Sequence, residues 1–361
     1  MIASYKFLSL ANYIIHQPYT FFMNTIGIGL IGCGLWGSIH ARTYNASPLV
    51  KLVAVCDQNR DRAKQFAEKY GFNSYTSDLE ELLANSDITA VSITTPDHTH
   101  SSILLKTLEA GKHTLVEKPL ALTVEECEKI LAVRDKNGVK LMVDFHNHWN
   151  IPFIQVRRMV ESGELGDLMM INVKLNDTIY VPTKMLEWAG KSSPAHFLGS
   201  HVVDLIRWIS GSEIKKVYSV NRSVVLKNLG VPTTDFYQSI LELSNGATAY
   251  IENCWIVAEN APNVFDFKGE FIGSEGSTYV NASHHRVIEK YTKGGSGFPD
   301  VLGVVDIYGK PTGFCTAPIE HFIECLVNDT DPIVTGEDGL EATRVVQAME
   351  QSARSGQPVS L

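Results

Sequence analysis

The chain has 361 residues, of which 44% are hydrophobic, 9% aromatic and 20% charged, the profile of a globular protein of about two domains. Its 31 Lys and Arg stand against 40 Asp and Glu, a net charge of -9 with no dense basic run, which argues against nucleic-acid binding. No apolar stretch has the length of a bilayer span, and the six cysteines form no Cys-x-x-Cys pair, so neither a membrane protein nor a zinc ribbon or disulfide framework is expected, and a reducing cytoplasm fits best.

Residues 1–22 place Lys6 ahead of the apolar run Phe7 to Ile15, a faint likeness to a secretory leader. Asn12, His16 and Gln17 interrupt it and no small-x-small cleavage site follows, so the segment is read as an N-terminal extension outside the fold. From Thr25 an apolar run ends in a Gly-rich turn and a helical stretch. Leu52 to Cys56 is a second predicted strand, Arg60 to Tyr70 a helix stopped by Gly71, and Ala90 to Thr94 a third strand. A helix over Ser101 to Ala110 leads to the strand His113 to Val116. Thr123 and Glu126 are spaced as a capping box for a helix running to Lys136, and Lys140 to Phe145 is another strand. Strands alternating with helices of about ten to fifteen residues imply right-handed parallel units, hence a doubly wound parallel sheet over residues 23–146.

Beyond residue 150 the pattern changes. Helical stretches at Pro152 to Ser162 and Ser200 to Ile209 accompany long strand-like segments near 168–176, 214–222, 235–244, 247–257 and 264–272, with turns such as Ser244-Asn245-Gly246. This predicts an α+β domain over residues 147–361, built on a large, mostly antiparallel open sheet and closed by a helix from Glu337 to Ala353.

Gly32-Cys33-Gly34-Leu35-Trp36-Gly37 is a G-x-G-x-x-G run placed between a strand and a helix, the Rossmann arrangement that lets backbone N–H groups approach a pyrophosphate. Asp57 follows Gly37 by 20 positions at the end of the second strand, where a carboxylate can accept both ribose hydroxyls of NAD. A glycine-rich loop without a ligand is the plainer alternative. NADP stays open, because Asn59, Arg60 and Arg62 are near enough in sequence to accommodate a 2′-phosphate.

With these motifs the chain resembles the glucose-fructose oxidoreductase, inositol dehydrogenase and rhizopine-catabolism (Gfo/Idh/MocA) family. The likeness also rests on Thr95-Pro96-Asp97-His98-Thr99-His100, on the block AGKHTLVEKPLALTVEE, on Met159 to Leu168 and Gly199 to Gly211, and on the C-terminal EDGLEATRVVQAMEQSARSGQPVSL. It implies a nicotinamide cofactor held by Gly32, Gly34, Leu35, Trp36, Asp57, Thr95, Pro96, His100, Glu117 and Lys118. Lys118 and His201 are then the catalytic pair, with Glu117 orienting the nicotinamide side, and the open sheet serves as substrate wall and oligomer interface. Lys118, at the carboxyl edge of a parallel strand, can hydrogen-bond the reacting hydroxyl; a solvated surface lysine is the alternative. His201 can take the alcohol proton as hydride leaves its carbon. Asp204 shares its helix face and could orient it, or could pair structurally. Many family members carry an aspartate four residues before this histidine. Here that position is Phe197, beside His196, so the substrate surroundings are expected to be more apolar or aromatic than in polyol members, and inositol-like specificity is not implied.

Asn172, Lys174 and Asn176 share one strand face, either a solvated face or a substrate wall. His146 and His148 would share a face if their strand continued, with His148 near substrate, and His284-His285-Arg286 is a local basic cluster. No metal site is expected, since no HExxH or carboxylate-flanked cluster is present. The function expected is hydride transfer between NAD(P) and a hydroxyl-bearing carbon of a sugar, sugar acid or cyclitol, in a homodimer or homotetramer. Two alternatives are an internal redox cycle giving net glycoside hydrolysis or epimerisation, and a non-catalytic dinucleotide sensor.

Overall fold

The computed structural model describes residues 25–284 and 287–361. Residues 1–22, and His285 and Arg286 of the basic cluster, lie outside the described residues. His284 stacks on Phe298 with ring centroids 4.4 Å apart.

The front half runs β1 (Ile26–Ile31), α1 (Leu35–Asn45), β2 (Val50–Cys56), α2 (Arg60–Tyr70), β3 (Ser74–Thr76), α3 (Leu79–Leu83), β4 (Ala90–Ile93), α4 (His100–Glu109), β5 (His113–Glu117), α5 (Val124–Asn137) and β6 (Leu141–Asp144). Every residue of β1 and β4 is buried, as a strand covered on both faces requires. The strands pair in parallel in the order β3-β2-β1-β4-β5-β6. The order reverses between β1 and β4, and a ligand crevice opens at such a switch point. Thr123 caps α5, and the side chain of Glu126 returns the bond to the Thr123 N–H.

The back half comprises α6 (Ile151–Glu161), β7 (Leu168–Thr178), α7 (Ser200–Ser210), β8 (Ile214–Arg222), α8 (Val225–Asn228), β9 (Phe236–Leu243), β10 (Thr248–Val257), β11 (Phe265–Gly273) and β12 (Ser277–Asn281). Two small hairpins follow, β13 (Lys290–Thr292) with β14 (Gly295–Gly297) and β15 (Val305–Ile307) with β16 (Lys310–Thr312). The chain closes with α9 (Ala317–Asn328), α10 (Gly336–Ser355) and β17 (Val359–Ser360). The large sheet has the order β12-β11-β7-β10-β9-β8-β17, antiparallel except for the β7 and β10 pair.

Helices α7 and α10 cover one face of this sheet, and α10 also lies against α5 and β6. The approach is close, since a Cβ on Gly339 of α10 would sit 2.7 Å from the Leu120 Cβ. Helix α9 returns to the front half, where Ile319, Phe322 and Ile323 join the core of Ile28, Leu30 and Tyr44. Arg42 of α1 pairs with Asp306 of β15, a second tie between the halves.

Candidate active site

The glycines at the end of β1 are required by contact. Gly32 has a left-handed φ of 102°, and a Cβ there would meet the Thr94 backbone at 2.8 Å. A Cβ on Gly37 would lie 2.2 Å from the Gly32 carbonyl, so the helix can start this close to the strand only with glycine. Before Gly34 nothing lies within 4 Å, which leaves open space at the N-terminus of α1. Asp57 sits beside this opening. Its Oδ2 accepts the Cys33 N–H at 2.9 Å, and its Oδ1 accepts the Asn59 N–H at 2.9 Å and Arg62 Nε at 3.1 Å. Open space at a helix N-terminus, next to a carboxylate fixed at the ribose distance in sequence, fits a dinucleotide.

The cleft that continues from here has a volume of about 790 Å³ and is lined by nine of the ten residues predicted to hold the cofactor. The exception is His100, which is a correction. It is buried behind the cleft, with Nδ1 at 2.7 Å from the Pro119 carbonyl and Nε2 at 2.9 Å from the Thr95 carbonyl. It therefore braces the turn after β4 against the turn after β5 and does not line the cleft. Arg62 is engaged by Asp57, so a 2′-phosphate would meet a carboxylate before it met a free guanidinium. Asp57→Ala is expected to weaken NAD binding about tenfold and to shift preference toward NADP as Arg62 is released, measured by titration calorimetry with each nucleotide.

Lys118 ends the cleft. Only 6% exposed, it donates from Nζ to the Phe197 carbonyl at 2.9 Å and lies 3.9 Å from the centre of the Phe197 ring. Burial holds its pKa below the ordinary lysine value. Phe197 belongs to a π-helical turn, Ala195–Gly199, that leads into α7. Its ring meets Trp188 at 5.9 Å and Trp255 at 5.7 Å, so the aromatic surroundings expected from Phe197 are present beside Lys118.

His201 is the second residue of α7 and is buried, and its Nδ1 has no hydrogen-bond partner among the described residues. Its ring lies 4.8 Å from that of His146, which in turn stacks on Trp36 at 5.2 Å, so one row of rings links the glycine turn to α7. Burial, then the Lys118 ammonium, then His146 hold the His201 pKa well below the ordinary imidazole value. The ring is therefore neutral at pH 7, the form that can accept a proton.

His148, expected near substrate, is instead paired with Asp204, its Nε2 2.8 Å from Oδ2, and Asp204 takes the structural pairing of its two alternatives. His148 also stacks on Trp208 at 4.5 Å. The cause is that β6 stops at Asp144 and the chain coils into a short 3₁₀ turn over His146–Trp149, so the two histidines do not share a strand face. His146 turns toward His201, and His148 turns to α7. Lys174 and Asn176 fall on the outer sheet face, the first of their two alternatives. Lys174 pairs with Asp266 at 2.7 Å and Asn176 donates to Glu252 at 2.7 Å, on the sheet face opposite the core residues Val173 and Leu175. Asp177, of the other parity, is on the core face.

Behind Lys118 lies a cluster that sequence spacing did not show. His40 Nε2 is 3.3 Å from Glu117 and 3.5 Å from Asp144, and its Nδ1 meets Ser92 at 3.1 Å. One ligand atom from each of His40, Glu117 and Asp144 lies within 4.8 Å of the others, and a proton on His40 offsets the two carboxyls. Burial alone would lower the His40 pKa, but hydrogen bonds to Asp144 and Glu117 outweigh it and raise it to about 9. Burial and the neighbouring Glu117 push Asp144 up to about 7. A pKa raised on folding contributes stability that is present at low pH and lost as pH rises through the folded value. Unfolding midpoints in urea are therefore expected to fall between pH 6.5 and pH 9 as His40, raised to about 9, loses its proton, and this fall is expected to be absent in His40→Gln.

Residues 26–145 match the model of an oxidoreductase family with an NAD-binding Rossmann fold, and residues 157–361 match that family's C-terminal alpha/beta domain. The chain belongs to the Gfo/Idh/MocA oxidoreductase family. It is an NAD-binding enzyme of the oxidoreductase class. The chain is 29% identical over 341 residues to a scyllo-inositol 2-dehydrogenase (NAD(+)) of Bacillus subtilis, covering 92% of this chain and 95% of that protein. It is 28% identical over 338 residues to an inositol 2-dehydrogenase of Rhizobium meliloti, covering 93% and 99%. The crystal structure of a putative myo-inositol dehydrogenase from Sinorhizobium meliloti aligns with a TM-score of 0.77 at 26% identity, covering 93% of this chain and 99% of that one. Among the described residues no helix is long and apolar enough to cross a membrane.

Proposed function

We propose that the enzyme oxidises a secondary hydroxyl of a cyclitol or sugar with NAD, using Lys118 and His201. The observation that carries this is a pair of buried groups, each with its pKa lowered, at and next to a cleft that fits a dinucleotide: Lys118 lines the cleft, and His201 is linked to its lining residue Trp36 through the His146 ring. The family's inositol dehydrogenases supply the substrate class. When bound, NAD supplies the hydride acceptor. The Lys118 ammonium hydrogen-bonds the substrate oxygen and stabilises the charge that develops there. His201, neutral and beside it, accepts the hydroxyl proton on the imidazole. The Phe197 and Trp188 rings give an apolar wall against which the C–H face of a carbohydrate ring can lie. Asp57 holds the adenosine ribose.

We also propose a homodimer or homotetramer, because the outer face of the large sheet leaves Tyr218, Val220 and Ile240 exposed side by side. Light scattering is expected to give two or four copies; a monomer would contradict this. Cysteines that are all unpaired support a reducing, cytoplasmic setting. The test of function is a screen of cyclitols, sugars and sugar acids with NAD and with NADP, following the absorbance of the reduced nicotinamide. NADH formation with a cyclitol or sugar is expected. A nucleotide that stays bound with no net reduction would favour an internal redox cycle.

A further inference from the structure

We propose that Phe197 is a positioning residue for the reaction, its carbonyl and the face of its ring together forming an uncharged seat for the Lys118 ammonium; this rests on the function proposed above. Two direct contacts make the seat. Nζ donates to the Phe197 carbonyl at 2.9 Å, and it lies 3.9 Å from the centre of the ring, within the reach of a cation–π contact. Lys118 is buried, and a cation removed from water is drawn to a ring face most strongly. The ring itself is held in place. The Phe197 N–H donates to the Ser193 carbonyl at 2.9 Å, and the ring is flanked by Trp188 at 5.9 Å and by the fully buried Trp255 at 5.7 Å, whose Nε1 is fixed on Asp177 at 3.2 Å.

Such a seat differs from an ion pair in what it leaves to the substrate. An ammonium has three donors; one meets the Phe197 carbonyl, and among the described residues Lys118 forms no ion pair, so two N–H groups and the positive charge remain for an oxygen entering the cleft. Charged and titratable groups surround it. Glu117 on β5, Asp144 at the end of β6, Asp97 after β4 and Asp177 on β7 favour the ammonium, and His201 of α7 and His146 after β6 feel its charge in return. Phe197 acts by contact, and its effect can be read separately because none of these groups changes when the ring does. The π-helical turn that carries Phe197 runs directly into α7, with His201 four residues on, so one stretch of backbone sets Lys118 against the proposed base.

Fluorinating the Phe197 ring separates its charge distribution from its shape. Each fluorine withdraws electron density from the ring face and adds little volume, so the packing on Trp188 and Trp255 is kept and every carboxylate stays in place. Weakening the attraction of the ring disfavours the ammonium, so the Lys118 pKa must fall. With mono-, di- and trifluorophenylalanine incorporated at position 197, NMR titration of isotope-labelled lysine, its Lys118 signal assigned through Lys118→Met, is expected to show a stepwise fall that reaches about one pH unit for the trifluoro ring. The alkaline limb of kcat/KM should move down with it, and NAD affinity should not change. Phe197→Leu, which keeps the carbonyl and loses the ring, should lower the titration at least as far. A Lys118 titration that is the same across the fluorinated series would overturn the proposal, whatever substrate the enzyme uses and whatever Phe197→Leu shows. Failure of the wild type to reduce NAD with any cyclitol or sugar would instead overturn the functional reading, since the NMR titration needs no substrate.

Discussion

Replacing Lys118 by methionine is expected to lower kcat roughly a thousand-fold while leaving NAD affinity within a few-fold. Methionine keeps an unbranched apolar stem and deletes the ammonium, which lies over the Phe197 ring and is the proposed donor to the substrate oxygen. A buried, water-poor site makes that donor more effective than it would be in bulk water, because the charge it stabilises has few other partners. Nucleotide affinity is held mainly elsewhere, by the glycine turn and Asp57. The variant carries a second signature. The Lys118 charge is one of the causes that depress the His201 pKa, so its removal should move the acid limb of the residual activity to higher pH. Stopped-flow kinetics across the pH range measure both effects.

His201→Gln is expected to cost about a hundred- to a thousand-fold in kcat and to remove the acid limb altogether. In the wild type the active form of His201 is neutral. Its folded pKa lies well below 6.5, so activity should persist below the ordinary imidazole range and fail only as pH drops through the lowered value. Glutamine fills a similar volume beside His146 but cannot take up the proton. An unchanged acid limb in His201→Gln would transfer the base role to another group. His146, which burial holds at about 4, is the nearest ring.

Much of the front half was legible because its signals are local. The capping box at Thr123 and Glu126, the stop at Gly71 and the apolar runs of β1 and β4 are each set within a few residues, and the elements formed there. Strand β3 and the four strands of the two hairpins, at three residues each, are too short to show a period, and α9 packs on the core of the distant front half. The nucleotide half of the site was readable for the same reason, since the glycine turn and Asp57 lie on consecutive strands. His100 was misassigned because a histidine beside a ligand turn and one bracing that turn from behind look alike until the carbonyls of Pro119 and Thr95 are placed.

The substrate half was less legible. The alternation in β7 was read correctly, but parity alone does not say which face meets the helices. Lys174 and Asn176 fell on the outer face and Asp177 on the core face. His148 and Asp204, 56 positions apart, meet only because the chain coils directly after Asp144. The trio His40, Glu117 and Asp144 needs α1, β5 and β6 side by side, an adjacency that no spacing encodes.

The central claim is direct hydride transfer from a carbinol carbon at the site of Lys118 and His201. Its most direct test is to supply NAD with a cyclitol deuterated at its carbinol carbons and to analyse the nucleotide by mass spectrometry. The account predicts that one deuterium appears in the reduced nicotinamide and that Lys118→Met suppresses its appearance. Reduced nucleotide without label, or labelling unchanged in Lys118→Met, would contradict it.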